Sequence, residues 1–215
     1  MTRLTVPDPD ERGDLGAFVA RVVRLDQAAL VRLQSGAGTV TAWAATPFDA
    51  LATRTVHGEV EPGDVTMPAA GLLTALTVER AATVDPGTGG LWHGELPPSE
   101  GWQQVDDVPA AELERLTERG LALARENAGP MGPPASLLDQ TVLTVSAGAR
   151  PAVKVPQVKV PLRCLFALSG MGFLGDTGPD AGVVRVSATG SWMRLDARYG
   201  AIVRRRVTAL PLLVG

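Results

Sequence analysis

The chain reads as an α+β protein in which a strand-helix-three-strand unit occurs twice, with mostly antiparallel sheet and an inserted helical and loop region between the copies. Three matches predict this. "FDALATRTV" (Phe48 to Val56) aligns with "YGAIVRRRV" (Tyr199 to Val207), placing Ala50 on Ala201, Leu51 on Ile202, Arg54 on Arg205 and Val56 on Val207 at an offset of 151. "LVRL" (Leu30 to Leu33) lies over "VVRV" (Val183 to Val186), and each is followed by a Gly-containing turn. "LTVP" (Leu4 to Pro7) lies over "VKVP" (Val158 to Pro161), each ahead of a candidate helix. Matches that keep the same order along the chain are the mark of an internal duplication.

The elements follow in sequence. "LTV" is a short strand, and "PDERGDLGAFVARVVRL" is a helix opened by Pro9 and acidic residues, with Leu15, Phe18, Val19, Val22 and Leu25 on one face. "AALVRLQ", "GTVTAWAA" and "FDALATRTVHGEV" are strands separated by breaks at Gly36 to Gly38 and at Thr46-Pro47. Connections this short imply antiparallel pairing. A turn at Pro62-Gly63, a short strand and a helix from near Pro68 close this part. "DPGTGGLWHGELPPSEGWQQVDD", rich in Gly, Pro and acid, predicts an extended loop. "VPAAELERLTERGLALAREN" predicts a helix in which Glu112 and Glu118 each lie three positions from Arg115, with Leu113, Leu116, Leu121 and Leu123 supplying apolar surface. "TVLTVSAGARPAVKVPQVKV" reads as a hairpin, "PLRCLFALSGMGFL" as a helix loosened by Gly170 and Gly172, and "GVVRVSA", "SWMRLDA" and "AIVRRRV" as strands. The expected divisions are 1–80, 81–140 (the insert) and 141–215, with one shared core or separate cores both open.

Composition bounds the function. Apolar residues at 45% and charged residues at 20% suit an ordinary folded protein, while aromatics at 4% leave the core to Val, Leu and Ala and make each Trp or Phe an anchor. The single Cys164 allows no disulfide within the chain, which suits a reducing compartment. With no signal-like apolar segment at the start and no run of 18 apolar residues, the expected location is the cytoplasm, away from the membrane. Net charge is −3, but Val158 to Gly215 carry +5 and the rest −8, a split suited to an anionic partner or to contact between copies.

No set of side chains reads as catalytic, cofactor-binding or metal-binding, and the reading leans away from an enzyme. His57, His93 and Cys164 are isolated, the adjacent Asp106 and Asp107 favour the helix that follows, and "GTGG" lacks the continuation of a phosphate loop. Two candidate surfaces stand out. "GLWHGELPPSEGW" places Trp92, His93 and Trp102 in a polar loop, either pinning it to the core or forming a binding loop. In the second unit, alternation puts Trp192, Arg194 and Asp196 on one face of a strand, with Arg198 at the turn, while Arg204 and Arg206 share a face with Ile202 and Arg205 projects opposite. A surface of Trp192, Arg194, Arg198, Arg204 and Arg206 would suit phosphates, carboxylates or single-stranded nucleic acid; the alternative is a solvent face whose charges protect a sheet edge.

The strand, helix and three strands followed by "EPGDVTMPAAGLLTAL" resemble the repeating half-domain of sliding clamps. In that family a strand ends near a turn and enters a short apolar helix, which here is V-x-x-P-x-x-x-L-x-x-x-L from Val65 to Leu76. The resemblance covers Leu4 to Leu76 and, in the second copy, Val158 to Val207, and it implies clamp-like association with nucleic acid. Clamp rings are lined by helices whose Lys and Arg face the phosphates, whereas here the first helix carries acids beside Arg12, Arg21 and Arg24, and the second has only Arg163. "VKVPLRCLFALSGMGFLG" with "GSWMRLDARYGAIVRRR" also resembles an uncharacterised, lineage-restricted family of high-GC Gram-positive bacteria (actinobacteria), and eighteen of the twenty basic residues being Arg fits such a genome. One group of that kind supplies a regulator of the chromosome-partition ATPase. The leading expectation is therefore a non-enzymatic interaction or regulatory module with a protein partner and scope for self-association. A clamp-like nucleic-acid-associated protein is the alternative, and a small-molecule-binding protein or enzyme ranks third.

Overall fold

The computed structural model describes residues 2–79, 81–130, 132–146, 157–175 and 182–206. The first half contains β1 (Arg3–Thr5), α1 (Pro9–Leu25), β2 (Leu30–Gly36), β3 (Thr39–Thr46), β4 (Ala50–His57), β5 (Glu59–Glu61), β6 (Asp64–Pro68) and α2 (Ala69–Thr74), which continues as a π-helical turn over Ala75–Glu79. After β7 (Thr83–Val84) and an irregular segment come β8 (Gln103–Pro109), α3 (Ala110–Glu126), α4 (Ala135–Leu138), β9 (Thr141–Val145), β10 (Val158–Pro161), α5 (Leu162–Gly170), β11 (Val183–Ala188), β12 (Trp192–Ala197) and β13 (Gly200–Arg205).

One eight-stranded sheet organises the molecule, in the order β6-β2-β3-β4-β13-β12-β11-β8. Its pairings are antiparallel throughout. The order is symmetric about the β4/β13 seam, where Leu51, Ala52 and Thr53 face Val203, Ile202 and Ala201. Thus β4 corresponds to β13, β3 to β12 and β2 to β11, as the repeat predicts. The edge strands complete the symmetry in a way the repeat does not. β6 leads through Met67-Pro68-Ala69-Ala70 into α2, and β8 leads through Val108-Pro109-Ala110-Ala111 into α3. Each edge strand thus feeds a helix through the same Val/Met-Pro-Ala-Ala step, although β6 follows its three strands in the chain and β8 precedes its own.

The local chemistry accounts for the elements. Asp8 caps α1, its carboxylate accepting from the backbone N–H of Asp10 at 2.8 Å and of Glu11 at 3.2 Å, and Leu15, Phe18, Val19 and Val22 are the buried stripe. Ala37 and Gly38, both at positive φ, form the two-residue turn between β2 and β3. Gly58 divides β4 from β5 where the chain crosses β1: at φ +155, a Cβ there would lie 2.3 Å from the Thr5 carbonyl oxygen. Helix α5 stops at Gly170, and Gly172 at φ +61 turns the chain so that Phe173 stacks on Phe18, ring centroids 6.3 Å apart.

The apolar core runs without a break from Leu4 and Val60 through Leu33, Met67, Ala44 and Ile202 to Leu195 and Val186, beneath α1 and α5. Two sequence expectations change. Residues 103–109, read as the end of a loop up to Asp107 and the start of a helix from Val108, form an edge strand on β11, and a bulge lets both Val105 and Val108 point inward despite their spacing of three. Asp106 and Asp107 accordingly lie in that strand and not at the start of a helix. On α3 the buried face is Ala110, Leu113, Thr117, Gly120 and Ala124, while Leu121 and Leu123 are exposed. That face is set by close docking on α5, since a Cβ at Gly120 would meet Leu162 Cδ1 at 2.2 Å. The predicted hairpin of β9 and β10 is present as an antiparallel pair; its tip, 147–156, lies outside the described residues.

Candidate functional site

Strand alternation gives the large sheet two faces. Val40, Ala42 and Ala44 of β3 face the helices with Val56, Arg54 and Ala52 of β4, so Thr41, Trp43 and Ala45 face outward with Thr55, Thr53 and Leu51. The register continues across β13 and β12: Val203 lies opposite Arg194, Arg205 opposite Trp192, and Arg204 opposite Met193. Trp43, Trp192 and Val203 therefore form a cluster on the outward face, and the segment 85–102 crosses it as a strap, packing Trp92, Leu96 and Trp102 against it together with Leu51. All four tryptophans of the chain meet there. Trp102 Nε1 ties the strap to itself by donating to the Pro98 carbonyl at 2.9 Å. His93 is exposed and lines a cleft of about 450 Å³ with Glu95, Trp192 and Arg205.

The arginines predicted to share one surface are divided between faces. Arg194 lies on the outward face with Trp192, but Arg204 and Arg206 are in phase with Ile202 and leave on the helix side, because adjacent strand residues alternate. Arg204 donates Nε to the Asp49 carbonyl at 3.0 Å and Nη2 to the Asp49 carboxylate at 2.9 Å. Arg206 donates to the carbonyls of Thr189 at 3.0 Å and Gln157 at 2.7 Å. Arg198 lies over the Tyr199 ring, 5.5 Å from its centroid. The residue that joins Trp192 is Arg205, whose guanidinium sits 5.4 Å from the indole centroid. Its alternation was legible; Trp43, buried in a run of small apolar residues, gave no signal beyond being a rare aromatic.

Each outward-facing arginine among the described residues has a carboxylate. Arg32 grips Asp64 with two bonds, 2.8 and 2.6 Å, holding that carboxyl below its ordinary range. Arg185 lies 3.5 Å from Asp107, Arg194 lies 2.7 Å from Asp196, and Arg205 is paired with Glu95. The face is thus dense in charge but locally neutral, and a phosphate would have to displace a carboxylate to reach it.

The titratable cysteine and histidine outside this face are held in other ways. Cys164 is a buried residue of α5, and burial pushes its thiol up to about 12, so it is protonated at neutral pH. His57 is held by Glu11, Nδ1 to Oε1 2.6 Å, at the edge of the molecule. Among the described residues no three His, Cys, Asp or Glu side chains are placed to hold a metal ion, and no helix is long and apolar enough to cross a membrane.

The class that this architecture defines is the sliding-clamp-like α+β fold. "Caulobacter crescentus pol III beta" aligns over 98% of this chain at 17% identity and a TM-score of 0.55, and a putative DNA polymerase III beta subunit from Eubacterium rectale aligns over 100% at 11% and 0.59. The DNA polymerase sliding clamp from Pseudomonas aeruginosa aligns over 99% at 14% and 0.56. The chain spans 66%, 67% and 66% of those proteins, and identities this low speak to the fold alone. No curated protein matches the sequence. The chain belongs to the family described as "Domain of unknown function (DUF8185)", which matches residues 97–209, and residues 1–93 match "Domain of unknown function (DUF8010)".

Proposed function

We propose that this protein is a non-enzymatic interaction or regulatory module that uses a clamp-like scaffold to present a binding face, with a protein as its partner. The observation that carries the reading is the outward sheet face, where four tryptophans gather and the charges are paired. Clustered aromatics flanked by arginine are the composition of protein-binding hot spots. From the actinobacterial resemblance, the chromosome-partition machinery is the first place to look for that partner. Self-association is part of the proposal: β8 is an end strand of the sheet, which a strand of a second copy can extend, whereas the other end strand, β6, accepts a bond from the Gly89 N–H of the strap at its Thr66 carbonyl, 3.1 Å.

The second reading, clamp-like association with nucleic acid, is favoured by the fold. Charge weighs against it. Over α1 three acids (Asp10, Glu11, Asp14) offset three arginines (Arg12, Arg21, Arg24), and over α3 four glutamates face three arginines. Such helices offer no excess of cations to release counterions from a phosphate backbone.

Light scattering at low and high salt, with and without short duplex and single-stranded DNA, separates the readings. We expect no DNA-bound mass at low salt, and a complex with a lysate protein weakened by Arg185→Glu combined with Arg194→Glu. A DNA complex lost as salt rises would transfer the assignment to the nucleic-acid reading.

A further inference from the structure

We infer that residues 87–102 are a cover that opens as a unit while the sheet beneath stays folded, and that the Glu95–Arg205 ion pair is its latch. The opening is argued from the strap itself; that it admits a partner to the tryptophan face rests on the interaction-module reading.

A segment's local stability follows from the apolar surface it buries and the hydrogen bonds that hold it. The strap has little of either. It contains no helix or strand, and within 87–102 only Trp92, Leu96, Pro97 and Trp102 are even half-buried, while Leu91 is 76% exposed. Among the described residues a single backbone bond ties it to the sheet, from the Gly89 N–H to the Thr66 carbonyl at 3.1 Å, and none follows between Gly90 and Trp102. Its joints lie at the two ends. Gly89 at φ +140 and Gly90 at φ +114 stand at one and Gly101 at φ +81 at the other, and glycine leaves such conformations without the steric barrier that a Cβ imposes.

Between the joints, Trp92, Leu96 and Trp102 pack on Trp43, Trp192 and Val203. Closure carries a cost there. Trp43 is only 8% exposed, and its Nε1–H and that of Trp92 are both shielded from solvent with no hydrogen-bond partner among the described residues. A donor shut away from water without a partner is destabilising, and both indoles regain water once the strap lifts. The closed state thus gains from apolar burial and loses at two donors, which narrows the gap between closed and open.

One side-chain bond crosses from the strap to the sheet among the described residues. Arg205 of β13, its guanidinium 5.4 Å from the Trp192 ring centroid, donates to the Glu95 carboxylate. These side chains are 58% and 64% exposed, so water and salt weaken the pair, and it biases the equilibrium without locking it. By contrast, Arg185–Asp107 and Arg194–Asp196 join residues of the sheet to each other and do not depend on the strap.

Native-state hydrogen exchange of the full chain tests this, read by NMR at the Trp43 indole N–H and at the hydrogen-bonded amides of β3 and β4 over a series of low urea concentrations. We expect the indole to exchange faster than those amides, with a urea dependence smaller than theirs but not zero, because opening exposes only part of the surface that unfolding exposes. Glu95→Gln, a change at an exposed side chain, should speed the indole about two- to fivefold and leave the amides unchanged, and added salt should narrow that difference. An indole that exchanges together with the amides reports only global unfolding and overturns the inference. So does a rate with no urea dependence, which means that water reaches the indole without the strap moving. Equal indole rates in the parent and Glu95→Gln overturn the latch. If the opening is seen and no lysate protein binds either form, the cover stands and the interaction reading falls. If a lysate protein binds both forms equally while their indole rates differ, the interaction reading stands and admission through the open cover falls.

Discussion

Asp49→Asn tests whether the two halves are joined by an ionic cluster as well as by strand pairing. Asp49, in the turn between β3 and β4, takes a bond from Arg204 of β13 at 2.9 Å and lies 3.9 Å from Arg163 of α5. Asp139 completes the cluster, 2.8 Å from Arg163 and 3.7 Å from Arg204. The arginine side chains are 10% and 13% exposed, but that of Asp49 is 75% exposed. A charged hydrogen bond contributes about 1.5–3 kcal/mol, which water at an exposed carboxylate reduces, so removing the charge costs about 1 kcal/mol. Asp49→Ala loses about 1 kcal/mol more, because φ is +53 and the left-handed region tolerates Asp and Asn better than Ala. At this chain length 1 kcal/mol lowers Tm by about 2–4 °C, so the expected falls are about 3 °C for Asn and about 6 °C for Ala. Thermal unfolding followed by circular dichroism reads both. Two variants indistinguishable from the parent, or an Asn variant less stable than Ala, would refute the account.

Three further outcomes follow from the same contacts. Cys164 should resist a thiol reagent at pH 8 in the native protein and react fully in denaturant, since burial holds the thiol up to about 12; rapid native labelling would contradict that burial. The Glu11 bond raises His57 above its ordinary 6.5 and lowers Glu11 below its ordinary 4.5. The histidine's contribution is complete below its unfolded value and is lost as pH rises through the raised one. The glutamate's is present above its unfolded value and is lost as pH falls through the lowered one, so the pair contributes most in the mildly acidic window between. An NMR titration should place the His57 midpoint above 6.5 and return it toward 6.5 in Glu11→Gln; equal midpoints would sink the pairing. Gly58→Ala should lose about 3 kcal/mol in urea unfolding, because its Cβ would strike the Thr5 backbone, and a loss under about 1 kcal/mol would show that β1 and β5 can separate there without penalty.

What was legible in the sequence was what neighbouring residues decide. Asp8, Pro9 and the spacing of Leu15, Phe18, Val19 and Val22 mark α1 over the range observed, because capping and a 3.6-residue stripe are properties of one short segment. The Pro62-Gly63 turn, β6 and the start of α2 were readable for the same reason. The duplication was visible because both copies kept the same alternation and turn spacing, and a sheet symmetric about its seam is its consequence.

The candidate site was another matter. Alternation on one strand placed Trp192 with Arg194, yet only the register of β12 against β13 shows that Arg205 joins them while Arg204 and Arg206 turn to the opposite side. Nothing local in 103–109 says that its polar residues are an edge strand, because β11, about eighty residues away, supplies the pairing and the bulge. By itself, the sequence determined the repeat, the α+β class and those elements whose signals are local, β8 excepted. The tertiary structure alone decided that a Pro-rich segment crosses the outward face, that its two tryptophans pack on the two of the sheet, and that each arginine there finds a carboxylate. Helix caps and turns are settled within a few residues, whereas the covering of a sheet face and the pairing of its charges are set by segments that meet only when the whole chain has folded.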